Sequence, residues 1–208
     1  MDFLRDRITP VLVTVGAGVV IGVLGALAGK VDSPLFHPVS LVFSGGWSWA
    51  CLALLVGYFR QSKVEAALLA ASTLAIGVAV YYLLKALAPV TPIGMDITAE
   101  PTGGVAWPRI AIWGALAFVF GAPVGLIGNL ARIPGFAGLL FRLLGPLIAF
   151  VETSWRLDVE AAAAGPTAES TWSTIRVLAV LAAVVLSGHS VWGWRSGRDS
   201  PKVRADAD

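Results

Sequence analysis

Apolar residues in this chain come in long blocks, and the charges between the blocks count them. Between Arg7 and Lys30 lie 22 residues without Asp, Glu, Lys or Arg; between Asp32 and Arg60 there are 27, between Glu65 and Lys85 19, between Arg109 and Arg132 22, and between Arg176 and Arg195 18. A bilayer core of about 30 Å takes about 20 apolar residues at about 1.5 Å rise, because backbone groups left unpaired in hydrocarbon cost several kcal/mol each. Each interval therefore predicts a membrane-spanning helix. Residues 133–151 add another, apolar except for Arg142, which is expected to snorkel, and carrying Pro146 near the middle. The expected fold class is all-α: a polytopic membrane bundle of six helices over residues 9–29, 40–59, 64–86, 108–131, 136–155 and 174–194. These form one transmembrane domain across 1–208, ending in a cytoplasmic polar tail, 195–208.

Basic residues set the expected orientation. Arg5, Arg7, Arg60, Lys63, Arg132, Arg142, Arg195, Arg198, Lys202 and Arg204 flank one side, against Lys30, Lys85, Arg109, Arg156 and Arg176 on the other. Ten against five places both termini in the cytoplasm of a cell-membrane protein. Tryptophan favours the headgroup level, where its ring is half buried and its N–H stays hydrated. Trp47, Trp49, Trp107, Trp113, Trp155 and Trp172 fall at the expected outer ends of spans, and Trp192 and Trp194 at the inner end of the last. Ala26-Leu27-Ala28 resembles a processing site, but Asp2 and Asp6 dilute the basic region before it, so the first span is expected to be retained.

The two long outer connections differ. Four prolines and the Gly103-Gly104 pair make residues 89–108 irregular. Residues 152–164 predict a helical extension of the fifth span, with Glu152, Arg156 and Glu160 along one face and Gly165-Pro166 as a stop.

Composition sharpens this picture: 57% apolar and 13% charged residues stand far from soluble usage, where about 25% are charged. One cysteine and two histidines exclude a disulfide framework within the chain and argue against a zinc site. A net charge of +2 spread along the chain makes no nucleic-acid surface. No cofactor is expected.

Helices in lipid associate through close backbone approach at small residues. Gly18, Gly22, Gly25 and Gly29 make such a stripe on the first span, and Gly114, Gly121, Gly125 and Gly128 on the fourth. Residues 18–28 and 121–131 share five of eleven positions, with the first span running outward and the fourth inward. This suggests either an inverted repeat of the kind found in secondary transporters or simple packing spines; Pro123 would weaken the fourth span at its middle.

Ionisable groups at membrane depth are the first functional suspects. Arg142 and His189 fall at similar depths near the inner ends of spans five and six, where together they would bind an anionic group or relay a proton. The simpler reading has Arg142 snorkelling and His189 bonded to a backbone carbonyl. Glu152, at the outer edge of span five, shares its expected depth with Tyr81, Tyr82, Trp49 and Trp113. A carboxylate among aromatic rings would recognise a cationic or hydroxylated ligand from outside; alternatively it pairs with Arg156 within an ordinary aromatic belt. A serine-protease pair of Ser44 with His189 fails because their depths disagree, and Cys51 suits packing.

Ser44-Gly-Gly-Trp47, Gly57-Tyr58-Phe59-Arg60, Tyr81-Tyr82, Gly121–Gly128 and Phe150-Val-Glu152 resemble segments of a group of small six-span integral membrane proteins common in actinobacteria. The resemblance implies the six-helix fold and carries over no activity or catalytic residue. Two functions are weighed for a protein whose solvent is the lipid bilayer. One is a small-molecule binding or transport subunit with an outward site at Glu152, Tyr81, Tyr82, Trp49 and Trp113. The other is an accessory subunit docking a membrane partner, or a second copy, through its glycine faces. A membrane enzyme ranks third.

Overall fold

The computed structural model describes residues 2–28, 36–87 and 107–198, which are helical apart from short turns, with no strand among them. Lys30, the 89–106 connection and the tail from 199 onward lie outside the described residues. The helices are α1 (Asp2–Leu27), α2 (Phe36–Ser44), α3 (Gly46–Tyr58), α4 (Lys63–Leu87), α5 (Trp107–Leu130), α6 (Phe136–Arg142), α7 (Leu144–Val159), α8 (Ala161–Ala164) and α9 (Pro166–Arg198). Four helical stretches are long and apolar enough to cross a membrane: α4, α5, Phe136–Val159 and Pro166–Gly193. The bent pair α2–α3 makes a fifth if it counts as one span, and the apolar part of α1, Val11–Leu27, is shorter.

Several expected boundaries shift, each for a local reason. The second span is two helices meeting at 68°. The hinge, Gly45, is extended (φ −76°, ψ 140°), and a Cβ there would meet the Trp47 ring at 2.8 Å. The fifth is interrupted at Leu143, which ends α6 and begins α7. Pro146, expected in mid-helix, stands in the first turn of α7, where its missing N–H costs nothing because that donor has no partner anyway. Pro123 leaves α5 continuous. The sixth span begins at Pro166, eight residues before the expected 174, once Gly165 at φ +85° has stopped α8. It also runs into the expected tail, to Arg198.

Helix α4 is the centre of one half of the bundle. Gly18, Gly22 and Gly25 of α1 lie over Thr73, Gly77 and Tyr81, so α1 and α4 run parallel. A Cβ on Gly18 or Gly22 would run into the backbone carbonyls of Thr73 and Gly77. Gly121 and Gly125 of α5 lie over Ala71 and Ala66 in the opposite sense, so α5 is antiparallel to α4 and therefore to α1. Gly125 also meets Gly57 of α3, and Gly128 meets the Leu54 carbonyl. Small residues on α4 thus admit both neighbours to near backbone contact, which supplies the dispersion that holds helices together in lipid.

Helices α2, α7 and α9 form the other half, around Ala149, Ala168, Trp172, Ile175 and Ala179. Trp172 is only 1% exposed, so it is a core residue rather than the interfacial anchor its position suggests. The helix entered at Pro166 carries it inward against α7. Trp107, Trp113 and Trp155, at 65%, 50% and 55% exposed, are open to the surroundings as interfacial tryptophans are.

Candidate functional site

The break between α2 and α3 gathers most of the candidate residues. Interrupting a helix frees backbone donors and acceptors, which in a dry environment must find partners. Here four of these groups find side-chain partners. Glu152 of α7 accepts the Gly46 N–H on Oε1 at 2.9 Å and the Trp47 N–H on Oε2 at 2.6 Å. The Trp49 indole donates to the Phe43 carbonyl at 3.0 Å, and the Ser48 hydroxyl to the Gly45 carbonyl at 2.8 Å. A carboxylate on the first amides of α3 also meets the positive end of that helix dipole.

The charge network continues outward along α7. Arg156 donates from Nε to Glu152 Oε1 at 3.1 Å and from Nη1 to Glu160 Oε2 at 3.0 Å. Its guanidinium carbon lies 5.8 Å from the centre of the buried Trp172 ring. Glu152 and Arg156 side chains retain 21% and 20% exposure, and Glu160 38%, so the network opens on its Glu160 side. Two carboxylates against one guanidinium leave an excess negative charge there.

The predicted aromatic set is partly assembled. Trp49 and Tyr81 meet edge to face at 6.5 Å, Tyr81 and Tyr82 at 5.2 Å, and the Lys85 ammonium lies 4.7 Å from the Tyr81 ring centre. Trp49 links this group to the break through its bond to Phe43. Trp113 stands apart on an exposed face of α5 and makes no ring contact.

No hydrogen bond joins Arg142 to His189. Arg142 donates from Nε to the Ala131 carbonyl at 2.6 Å and from Nη2 to the Ile133 carbonyl at 3.1 Å, closing the C-terminal end of α5. The His189 side chain is exposed on α9 and makes no hydrogen bond among the described residues. The end of α3 is closed in the same manner, its Arg60 carbonyl accepting from Asn129 Nδ2 and, at 2.6 Å, from Arg132 Nη1. Cationic and amide donors on helix C-terminal carbonyls satisfy the orphan acceptors and complement the dipole.

A half-open cleft of about 430 Å³ lies beside Arg142, walled by Leu54, Leu55 and Tyr58 of α3, Phe141, Pro146 and, from α9, Leu186. Cys51 and Gly145 also line it, with the thiol 3.9 Å from the Gly145 carbonyl. Sequence reasoning did not find this cleft, since its walls are ordinary apolar residues from four distant segments. It missed Asn129 too, although an amide buried one residue from a helix end is a signal for a carbonyl partner. No group of three or more His, Cys, Asp or Glu is placed to hold a metal among the described residues. No family model, curated protein or solved structure matches the chain.

Proposed function

We propose that this chain is a six-span cell-membrane protein with both termini in the cytoplasm, serving as a small-molecule binding or transport subunit. Its binding region is the broken α2–α3 segment, with Glu152, Arg156 and Glu160 on one side and Trp49, Tyr81 and Tyr82 on the other. The observation that carries this reading is the 68° interruption of an apolar helix, capped by a carboxylate from another helix. Discontinuous helices of this kind are where secondary transporters build their sites, because the freed backbone and its partners offer polar contacts at membrane depth. The excess negative charge around Arg156 and the nearby ring faces favour a cationic or hydroxylated molecule arriving from outside. Such a ligand would share Glu152 and Glu160 with Arg156.

The parallel course of α1 and α4 is what a six-span topology requires of its first and third spans. The opposed directions of α1 and α5 agree with it. An accessory role through glycine faces draws no support from Gly18, Gly22, Gly25, Gly121, Gly125 and Gly128, which α3, α4 and their side chains already cover.

Thermal unfolding of the purified protein across a panel of cationic and hydroxylated metabolites tests the reading. A ligand at about 100 times its Kd stabilises by about 2.7 kcal/mol. The stabilisation is expected to fall in Glu160→Gln, which leaves the α3 cap intact, and to vanish in Glu152→Gln. No stabilising compound, or equal stabilisation of all three proteins, refutes it.

A further inference from the structure

We propose that the cleft beside Arg142 holds one acyl chain of an anionic phospholipid, with the lipid phosphate on the guanidinium groups of Arg142 and Arg132. The site is separate from the α2–α3 break and independent of the function proposed there. Its volume, about 430 Å³, is within the range of about 300–1,000 Å³ typical of ligand clefts. A slender, flexible hydrocarbon chain suits it. The walls offered by Leu54, Leu55, Phe141, Pro146 and Leu186 are apolar, and Arg142 is itself part of the lining. Tail and head sites are therefore contiguous, which selects a lipid over free phosphate.

Charge at this end of the bundle complements a phosphate. Arg60, Lys63, Arg132 and Arg142 come together at the ends of α3 and α5 and the start of α4, with Glu65 the one acidic residue in these segments. A guanidinium has five N–H donors. Arg142 spends two on the Ala131 and Ile133 carbonyls, and Arg132 spends one on the Arg60 carbonyl. Both forks keep donors for phosphate oxygens, which a guanidinium can bind in pairs. The same carbonyl bonds hold the two forks in place beforehand, so little further ordering is needed on binding.

Gly145 offers a direct way to fill the cleft. A Cβ there meets only Leu54 Cδ1 at 3.6 Å and Cys51 Sγ at 3.7 Å, ordinary contact distances, so a larger side chain would enter the cleft rather than the backbone. The full chain in nanodiscs would be exposed to phosphatidylglycerol, or to phosphatidylcholine with the same chains, each carrying a mid-chain diazirine; soluble glycerol phosphate would serve as competitor. Phosphatidylglycerol is expected to crosslink to residues 54–58, 141–146 and Leu186, in clear preference to phosphatidylcholine, and glycerol phosphate should compete weakly. Arg132→Gln is expected to lower phosphatidylglycerol binding about fivefold, near the roughly 1 kcal/mol that one basic residue contributes at an anionic surface. Gly145→Leu, or Leu186→Phe if that variant fails to fold, should remove the cleft crosslinks.

Equal labelling by both lipids would overturn the proposal. So would labelling confined to the outer face of α9 around Val184 and Val185, cleft crosslinks that survive in a folded filled variant, or complete displacement by glycerol phosphate.

Discussion

The carboxylate of Glu152 accepts the backbone N–H of Trp47 at 2.6 Å across 105 residues of sequence. With the neighbouring bond from Gly46 it makes a helix cap supplied by a different helix. Ser, Thr, Asp or Asn ordinarily cap a helix from the position just before it. Gly45 stands there and has no side chain to do so. The α2–α3 break and the α7 carboxylate are therefore one structural unit.

That unit sets the first expectation. Glu152→Ala leaves two amides and the Arg156 Nε without their acceptor and should destabilise the protein by about 1–3 kcal/mol. Glu152→Gln keeps one acceptor oxygen and should fall between it and wild type. Reversible unfolding in mixed micelles measures the difference; an alanine variant as stable as wild type would show that the cap contributes nothing.

Glycine positions divide sharply by what surrounds them. Gly22→Ala places a methyl group against the Gly77 carbonyl and should cost about 1–3 kcal/mol, because two helices must separate. Gly114→Ala meets nothing within 4 Å in the N-terminal third of α5 and should stabilise by about 0.4–1 kcal/mol through lost unfolded-state entropy. Comparing the two variants by thermal unfolding checks the assignment, since composition alone treats the two glycines alike.

Trp172 carries a buried indole N–H with no hydrogen-bond partner. Trp172→Phe removes that orphan donor and keeps most of the packing, so its stability should stay within about 1 kcal/mol of wild type. Trp172→Ala should lose about 3–5 kcal/mol to the cavity. Similar losses in both variants would mean that the N–H has a partner after all.

Arg142 holds two carbonyls with a planar fork, and lysine cannot reproduce that geometry. Arg142→Lys should therefore be nearly as unstable as Arg142→Gln, each losing about 1–3 kcal/mol. A lysine variant that restores wild-type stability would indicate that charge alone matters at this position.

Topology is open to direct labelling. In a Cys51→Ser background, Met95→Cys should react with an impermeant maleimide on intact cells, and Asp208→Cys should react only after lysis. The reverse pattern would invert the orientation argued from the basic residues.

How far the chain could be read in advance follows from the range of each force. Blocks of apolar residues free of charge dictate apolar helices, four of them long enough for a membrane, since that demand comes from solvent and is met one segment at a time. The glycine stripes were legible for a similar reason: Gly18, Gly22 and Gly25 share a face by helical periodicity alone, and a face of small residues in lipid is a packing face. The pairing of Glu152 with Arg156 is also local, one turn of helix apart. None of this located the bend at Gly45, because whether a glycine interrupts a helix depends on whether side chains elsewhere can pair the freed amides and carbonyls. Glu152, Trp49 and Ser48 do so only once α7 has packed beside α3. Similarly, Arg142 was visible as a costly cation, but its carbonyl partners and the apolar cleft beside it required α5, α6 and α9 to converge. Periodicity and hydropathy act along the chain and can be read from it; hydrogen bonds and cavities between segments a hundred residues apart exist only after those segments meet.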